Sequence, residues 1–121
     1  MVEGNLNSKQ KGNRGERSCR DIWREAGFLK ARRTQQYAGN TGDASDVTIP
    51  EVPSIHQEVK NTEAKNFLDW MDQAERDAAP HKKIPVVAHK RAGRPWIAIL
   101  PLENLITIIR RSDLVDEVKL G

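Results

Sequence analysis

With 121 residues the chain fits one domain with a sizeable core and leaves no room for a separate specificity domain, so a single module must both bind and react. Apolar residues (37%) and charged residues (31%) suit a soluble globular protein; the apolar stretches 97–100 and 105–109 are too short to span a bilayer, residues 1–10 carry no apolar signal-peptide core, and a cytoplasmic location follows by default. Cys19 is the only cysteine, which excludes an internal disulfide and a cysteine-based zinc cluster, and the net charge of +3 is spread unevenly, with basic ends flanking an acidic middle between residues 36 and 79.

In chain order, residues 1–10 are polar and aperiodic and read as a mobile arm, from which Lys9 could still reach a polyanion. Gly15, Cys19, Ile22, Trp23 and Ala26 recur at helical spacing, with Asn13 as the expected N-cap and Gly27 as the expected stop. Glu16, one turn before Cys19, sits at the edge of that stripe and can look towards a packed sheet. Residues 28–37 suggest a short basic strand that leads into a turn at 39–43. Residues 47–49 and 55–60 read as strands separated by Pro50 and Pro53, most economically joined as a hairpin.

Ala64, Phe67, Leu68, Met71, Ala74 and Ala78 mark a second amphipathic helix with Pro80 just beyond it. Residues 86–90 and 96–100 form a further strand pair around Ala92, Gly93, Arg94 and Pro95, with Pro85 tolerable before the first strand. Leu102, Leu105, Ile106 and Ile109 suggest a short final helix, and residues 111–121 a weakly specified tail.

The chemistry concentrates on Glu58, Val59 and Lys60. Side chains alternate along a strand, so Glu58 and Lys60 project together while Val59 packs behind them. Asp46 adds a second carboxylate, and the set could hold a hard divalent cation beside an ammonium, as metal-assisted phosphodiester cleavage requires. Asp46 and Glu58 are the primary metal candidates, Glu16 serves a second ion directly or through water, and Lys60 orients the attacking water and offsets transition-state charge. Each residue also has a plainer explanation. Glu16 could complete a capping box with Asn13, Glu58 and Lys60 could be a solvated pair, and Asp46, like Asp43, could end a turn. Together the four residues Glu16, Asp46, Glu58 and Lys60 favour a nuclease. The basic ends fit phosphate contact, with Arg14, Arg17, Lys30, Arg32 and Arg33 as candidates. His56 shares the Glu58 face but reads more simply as a satisfied strand histidine, and His81 and His89 show no ligand spacing.

The pieces Lys11-Gly12 with Gly15-Glu16-Arg17, Gly27-Phe28, Arg32-Arg33, Asp46-Val47 and Glu58-Val59-Lys60 together resemble the PD-(D/E)XK nuclease superfamily, and within it the small Holliday-junction resolvases. The resemblance runs from about residue 11 to residue 109. It implies an α/β fold, a restriction-endonuclease-like mixed central sheet flanked by helices, in which Glu16, Asp46, Glu58 and Lys60 stand as the helix acid and the three signature residues. It implies Mg²⁺ dependence, with Mn²⁺ as a substitute, a branched DNA substrate, and a homodimer that cuts two strands. Gln73 resembles the glutamine that often follows Glu-x-Lys and, like Lys11, is a DNA-contact candidate. Ser45 stands where the family usually has a proline, which alters the approach to the site more than its chemistry. The expected organisation is an arm over residues 1–10, a nuclease domain over 11–110 and a tail over 111–121. The rival readings are a repair, flap or restriction-like nuclease and a non-catalytic DNA-binding module.

Overall fold

A computed structural model describes residues 2–34 and 45–116, with side chains from Ser8 onward. The turn expected at 39–43, including Asp43, and the last residues of the tail lie outside the described residues.

Helix α1 spans Val2–Glu25. It is continuous through Gln10 and Asn13, which replaces the expected arm and N-cap and removes the capping-box explanation of Glu16. Its stop is the expected one. Gly27 takes a positive φ of 106°, its N–H reaches Arg24 O at 3.0 Å, and Phe28 N–H reaches back to Trp23 O at 3.0 Å, which closes the orphan carbonyls in a Schellman arrangement. Only Gly15 and Cys19 of the expected stripe are buried; Trp23 is half-buried, and Ile22 and Ala26 are exposed.

Strand β1 is confined to Arg32–Arg33 and pairs antiparallel with β2, Val47–Thr48. The hairpin expected between β2 and the next strand is therefore not formed as a ladder. β2 meets β3 (Ile55–Asn61) through the Asp46 N–H bond to Gln57 O at 2.8 Å. β3 pairs instead in parallel with β4 (Ile84–Lys90), and β4 pairs antiparallel with β5 (Ile97–Ile99), giving a mixed three-stranded sheet in the order β3-β4-β5. A parallel pair needs a long crossover, and helix α2 (Phe67–Ala78), followed by a 3-10 turn at Ala79–His81, supplies it. Pro85 sits inside β4 without breaking the ladder. Ile84 N–H points to β3, bonding Ser54 O at 2.7 Å, so alternation turns the Pro85 nitrogen to the other edge, beyond the end of β5 pairing at Val87.

Both faces of the sheet are covered. On one, Val59 and Ala88 pack with Cys19 of α1 and with Ala31, Val47 and Ile49; on the other, Val87 packs with Trp70 and Ala74 of α2. Leu68, expected in the α2 stripe, is 81% exposed, and Trp70 takes the buried position. Helix α3 spans Leu102–Arg110 and buries none of its residues.

Helix α1 approaches β3 very closely at Gly15. A Cβ there would stand 2.5 Å from Asn61 Cβ, an atom fixed to the β3 backbone that cannot swing away. Substituting Gly15→Ala would gain up to about 1 kcal/mol of helix propensity, but overpacking costs about 1–3 kcal/mol, so the clash decides the sign. Urea unfolding should show Gly15→Ala less stable than wild type, and Gly12→Ala, where a Cβ meets nothing within 4 Å, at least as stable.

Candidate active site

Alternation along β3 sorts its residues between the two helices. Gln57 and Val59 face α1, where Gln57 Oε1 accepts Trp23 Nε1–H at 3.2 Å and the Cys19 thiol at 3.7 Å. His56, Glu58 and Lys60 face α2, where Lys60 Nζ lies 3.5 Å from Gln73 Oε1. Glu58 is 3% exposed, which is the decisive quantity: a solvated surface pair would not be buried there. Asp46 enters from the open edge of β3, held by its own N–H on Gln57 O and by Val59 N–H on its Oδ2, both at 2.8 Å.

A buried relay fixes Glu58 from behind. The Ser45 hydroxyl accepts Gln57 N–H at 3.2 Å and meets His56 Nδ1 at 3.1 Å. The other ring nitrogen, Nε2, faces Glu58 Oε1 at 3.3 Å. Ser45 thus does something a proline could not, since its hydroxyl holds the His56 ring in place. Asp77, one helical turn after Gln73, completes the group: ligand atoms of His56, Glu58 and Asp77 all lie within 4.8 Å of one another. The sequence reading did not include Asp77 and set His56 aside. Asp77 was discoverable as the residue four places after Gln73 on the same helix face.

The carboxyls interact strongly. Burial, then the neighbouring Glu58 charge, pushes Asp46 from the ordinary 3.8 to about 7. Burial also pushes Glu58 up, but hydrogen bonds from His56 and Asp46 and the attraction of His56 outweigh it, and Glu58 is held below its ordinary value. Asp77 is raised, by burial and by its hydrogen bond to Glu58. Glu58 is therefore the ionised centre, with protons retained by the acids around it.

Glu16 stands apart from this cluster in its contacts. Its Oε1 accepts Arg33 Nε at 3.1 Å and Arg33 Nη2 at 2.9 Å, while Asn13 Oδ1 takes Arg33 Nη2 at 2.8 Å. Its charge still acts on Asp46. Arg33, a phosphate candidate, thus spends donors inside the protein. Arg14, Arg17, Lys30 and Arg32 are exposed; Lys11 is half-buried, with its carbonyl accepting Asn61 Nδ2–H at 2.9 Å. Cys19 is no nucleophile, since burial drives its thiol up to about 12. His89 is packed against Phe67 and Trp70 and donates to Thr62 O at 2.9 Å.

The model of one protein family, described as "Phage putative PDDEXK endonuclease", matches residues 7–119. The chain belongs to this family. No curated protein and no solved structure matches it. The mixed sheet between helices is an α/β fold compatible with the restriction-endonuclease-like architecture. Among the described residues, no helix is long and apolar enough to cross a membrane.

PDDEXK nucleases generally use divalent metals, and the donors here fit one. Burial and the Glu58 charge keep a proton on Asp46 up to about pH 7, a demand for positive charge that a hard cation meets as well as a proton does. His56, Glu58 and Asp77 are a second combination able to hold an ion.

The raised Asp46 pKa carries a definite sign. A carboxyl that holds its proton more tightly when folded contributes stability that is complete below its unfolded value of 3.8 and is lost as pH rises through about 7. In chelator, stability should fall between about pH 5 and about pH 8, and Asp46→Asn should remove most of that fall. At the higher pH, Mg²⁺ should raise the wild-type melting temperature by several degrees and leave Asp46→Asn nearly unmoved, as thermal scans would record.

Proposed function

We propose that this PDDEXK endonuclease is a Mg²⁺-dependent enzyme that cuts branched DNA, with the four-way junction as its preferred substrate, and that it works as a homodimer. The observation that carries the catalytic part is the burial of Glu58 beside Asp46 on the sheet face that also presents Lys60. Asp46 and Glu58 hold the cation, with Glu16 as a further acid once Arg33 releases it. When bound, Mg²⁺ supplies activation of a water and relief of negative charge at phosphorus.

The protein residues do the rest. His56 keeps Glu58 pointed into the site, and its ring is held from the other side by Ser45. Lys60, steadied by Gln73, orients the attacking water and offsets charge as it builds on the phosphate oxygens. Lys11, Arg14, Arg17, Lys30 and Arg32 meet backbone phosphates as point charges or forks. Arg33 reaches DNA only by leaving Glu16.

Helix α3 supports the dimer. Leu102 (69% exposed), Ile106 (48%) and the neighbouring Leu105 and Ile108 leave apolar surface on the helix, and a second copy of the chain would bury it in an isologous contact. Two related sites suit paired cuts in a two-fold junction, which favours that substrate over a flap or a linear duplex.

Cleavage of four-way, flap and linear DNA in Mg²⁺ tests the reading. Lys60→Ala should slow cutting by about 10²–10⁴-fold while leaving junction affinity in Ca²⁺ nearly unchanged. Equal rates on all three substrates would remove the junction preference, and binding without cleavage in either Mg²⁺ or Mn²⁺ would leave a DNA-binding module. By sedimentation, Ile106→Glu should shift the protein towards monomer and, on junctions, uncouple the two cuts.

A further inference from the structure

A cleft of about 290 Å³ opens on the face of β3 opposite Glu58, between α1, the ends of β3 and β4, and the turn that leads to β5. Its charged walls are Lys11 and Arg14 from α1, Lys90 and Arg91 from β4 and its end, and a single carboxylate, Glu63. Lys11 and Arg14 are three residues apart on a helix and so share a face.

Glu63 is already engaged. It accepts Ala92 N–H at 2.8 Å and lies 3.8 Å from Arg91 Nε, and that backbone bond, together with the charges of Arg91 and Lys11, holds its carboxyl below the usual range. Its role is to pin the turn. Arg14 and Lys90 have no carboxylate within ion-pair distance among the described residues, Lys90 Nζ reaching only the Arg91 carbonyl at 2.8 Å. Arg91 Nε is buried with no hydrogen-bond acceptor among the described residues. The cleft therefore holds more positive charge than its own acid can answer.

Trp96 forms the remaining wall, half-buried because it packs on the cluster of Cys19, Ala31, Val59 and Ala88. An indole anchored at the lip of a cationic cleft is a stacking platform with phosphate donors beside it. The volume lies at the low end of the range of about 300–1,000 Å³ typical of small-ligand sites, which suits one nucleotide and not a duplex.

We propose that this cleft takes a single unpaired nucleotide of the DNA substrate, its base stacked on Trp96 and its phosphates on Arg14, Lys90 and Arg91. The inference rests on the nuclease reading for its substrate and deepens it: a nucleotide opened out of its pair at the branch point is held near the cut. Asn61 joins the two places, since it follows Lys60 on β3, lines the cleft, and donates to the Lys11 carbonyl.

The test measures binding without catalysis, using the full chain in chelator, with a fluorescein-labelled thymidine oligomer and a blunt duplex as probes. Trp96→Ala should weaken oligomer binding about ten-fold and duplex binding far less, while Trp96→Phe, which keeps an aromatic face, should retain most of the affinity. Arg91→Ala and Lys90→Ala should each flatten the salt dependence by about one ion. Circular dichroism of each variant separates misfolding from lost contact, and Trp96→Phe keeps the test decisive if Trp96→Ala does not fold. Oligomer affinity within about two-fold of wild type in Trp96→Ala and Arg91→Ala would overturn the proposal, as would equal losses on oligomer and duplex, the mark of a plain backbone groove. The two readings fail separately. Cutting by wild type together with unchanged binding in the cleft variants sinks the cleft alone, and the expected binding losses in a protein that never cuts with Mg²⁺ sink the nuclease alone.

Discussion

One constraint governs the site: Glu58 must stay ionised where water is scarce and two other carboxyls stand close by. Like charges in such a place cannot all be carried, so Asp46 and Asp77 keep protons at pH values where free aspartates have lost them. The rest of the local structure serves that imbalance. Val59 N–H fixes Asp46, and Ser45 fixes His56, which in turn fixes Glu58. A site built this way is unsatisfied until a cation or protons arrive, and its need for charge is stored in the packing of β3 between α1 and α2.

The packing that makes this possible is asymmetric. On the α1 side the helix approaches so closely that only glycine fits at position 15, and Asn61 reaches the Lys11 carbonyl across the gap. On the α2 side the spacing leaves room for polar chains, and Gln73 and Asp77 enter it one turn apart. The same strand therefore presents one face packed tightly against α1 and another that carries the His56, Glu58 and Asp77 group under α2. Preorganisation of Glu58 and Lys60 is a property of the first face as much as of the second.

What was legible in the sequence follows from the range of the interactions involved. The Glu-x-Lys geometry is fixed by a period of two residues and needs no tertiary information, and the α2 stripe and the Gly27 stop are likewise local. The polar start of α1 lacked an apolar period and read as an arm, although a helix needs no such period where one face stays wet. Leu68 read as part of the buried α2 stripe because it falls at helical spacing with Ala64 and Met71, and only tertiary contact with Val87 and His89 shows that Trp70, on another side of the helix, is the buried one. The β2–β3 hairpin was a guess about pairing partners, and partners are set by long-range packing: β2 found β1, and β3 found β4 across a whole helix. Asp77 shared a helix face with Gln73 and was within reach of the same local argument, whereas the second role of Ser45 became visible only once the segment before β2 was seen against His56 and Gln57.

The uneven charge along the chain becomes intelligible in this arrangement. The acidic middle supplies Asp46, Glu58 and Asp77 to the face under α2, whereas the two basic ends, far apart in sequence, meet on the other face as Lys11 and Arg14 beside Lys90 and Arg91. Strand β3 is the partition between them, and it is thin: Lys60 and Asn61 are neighbours in sequence yet belong to opposite faces. A polyanion drawn to the basic face is thereby brought to the end of the strand that carries the acids, while the acids themselves repel it until their charge is answered by a cation. Separation of the two charges across one strand sets the basic cleft and the carboxyl cluster on opposite faces of β3, so each keeps its own electrostatic character.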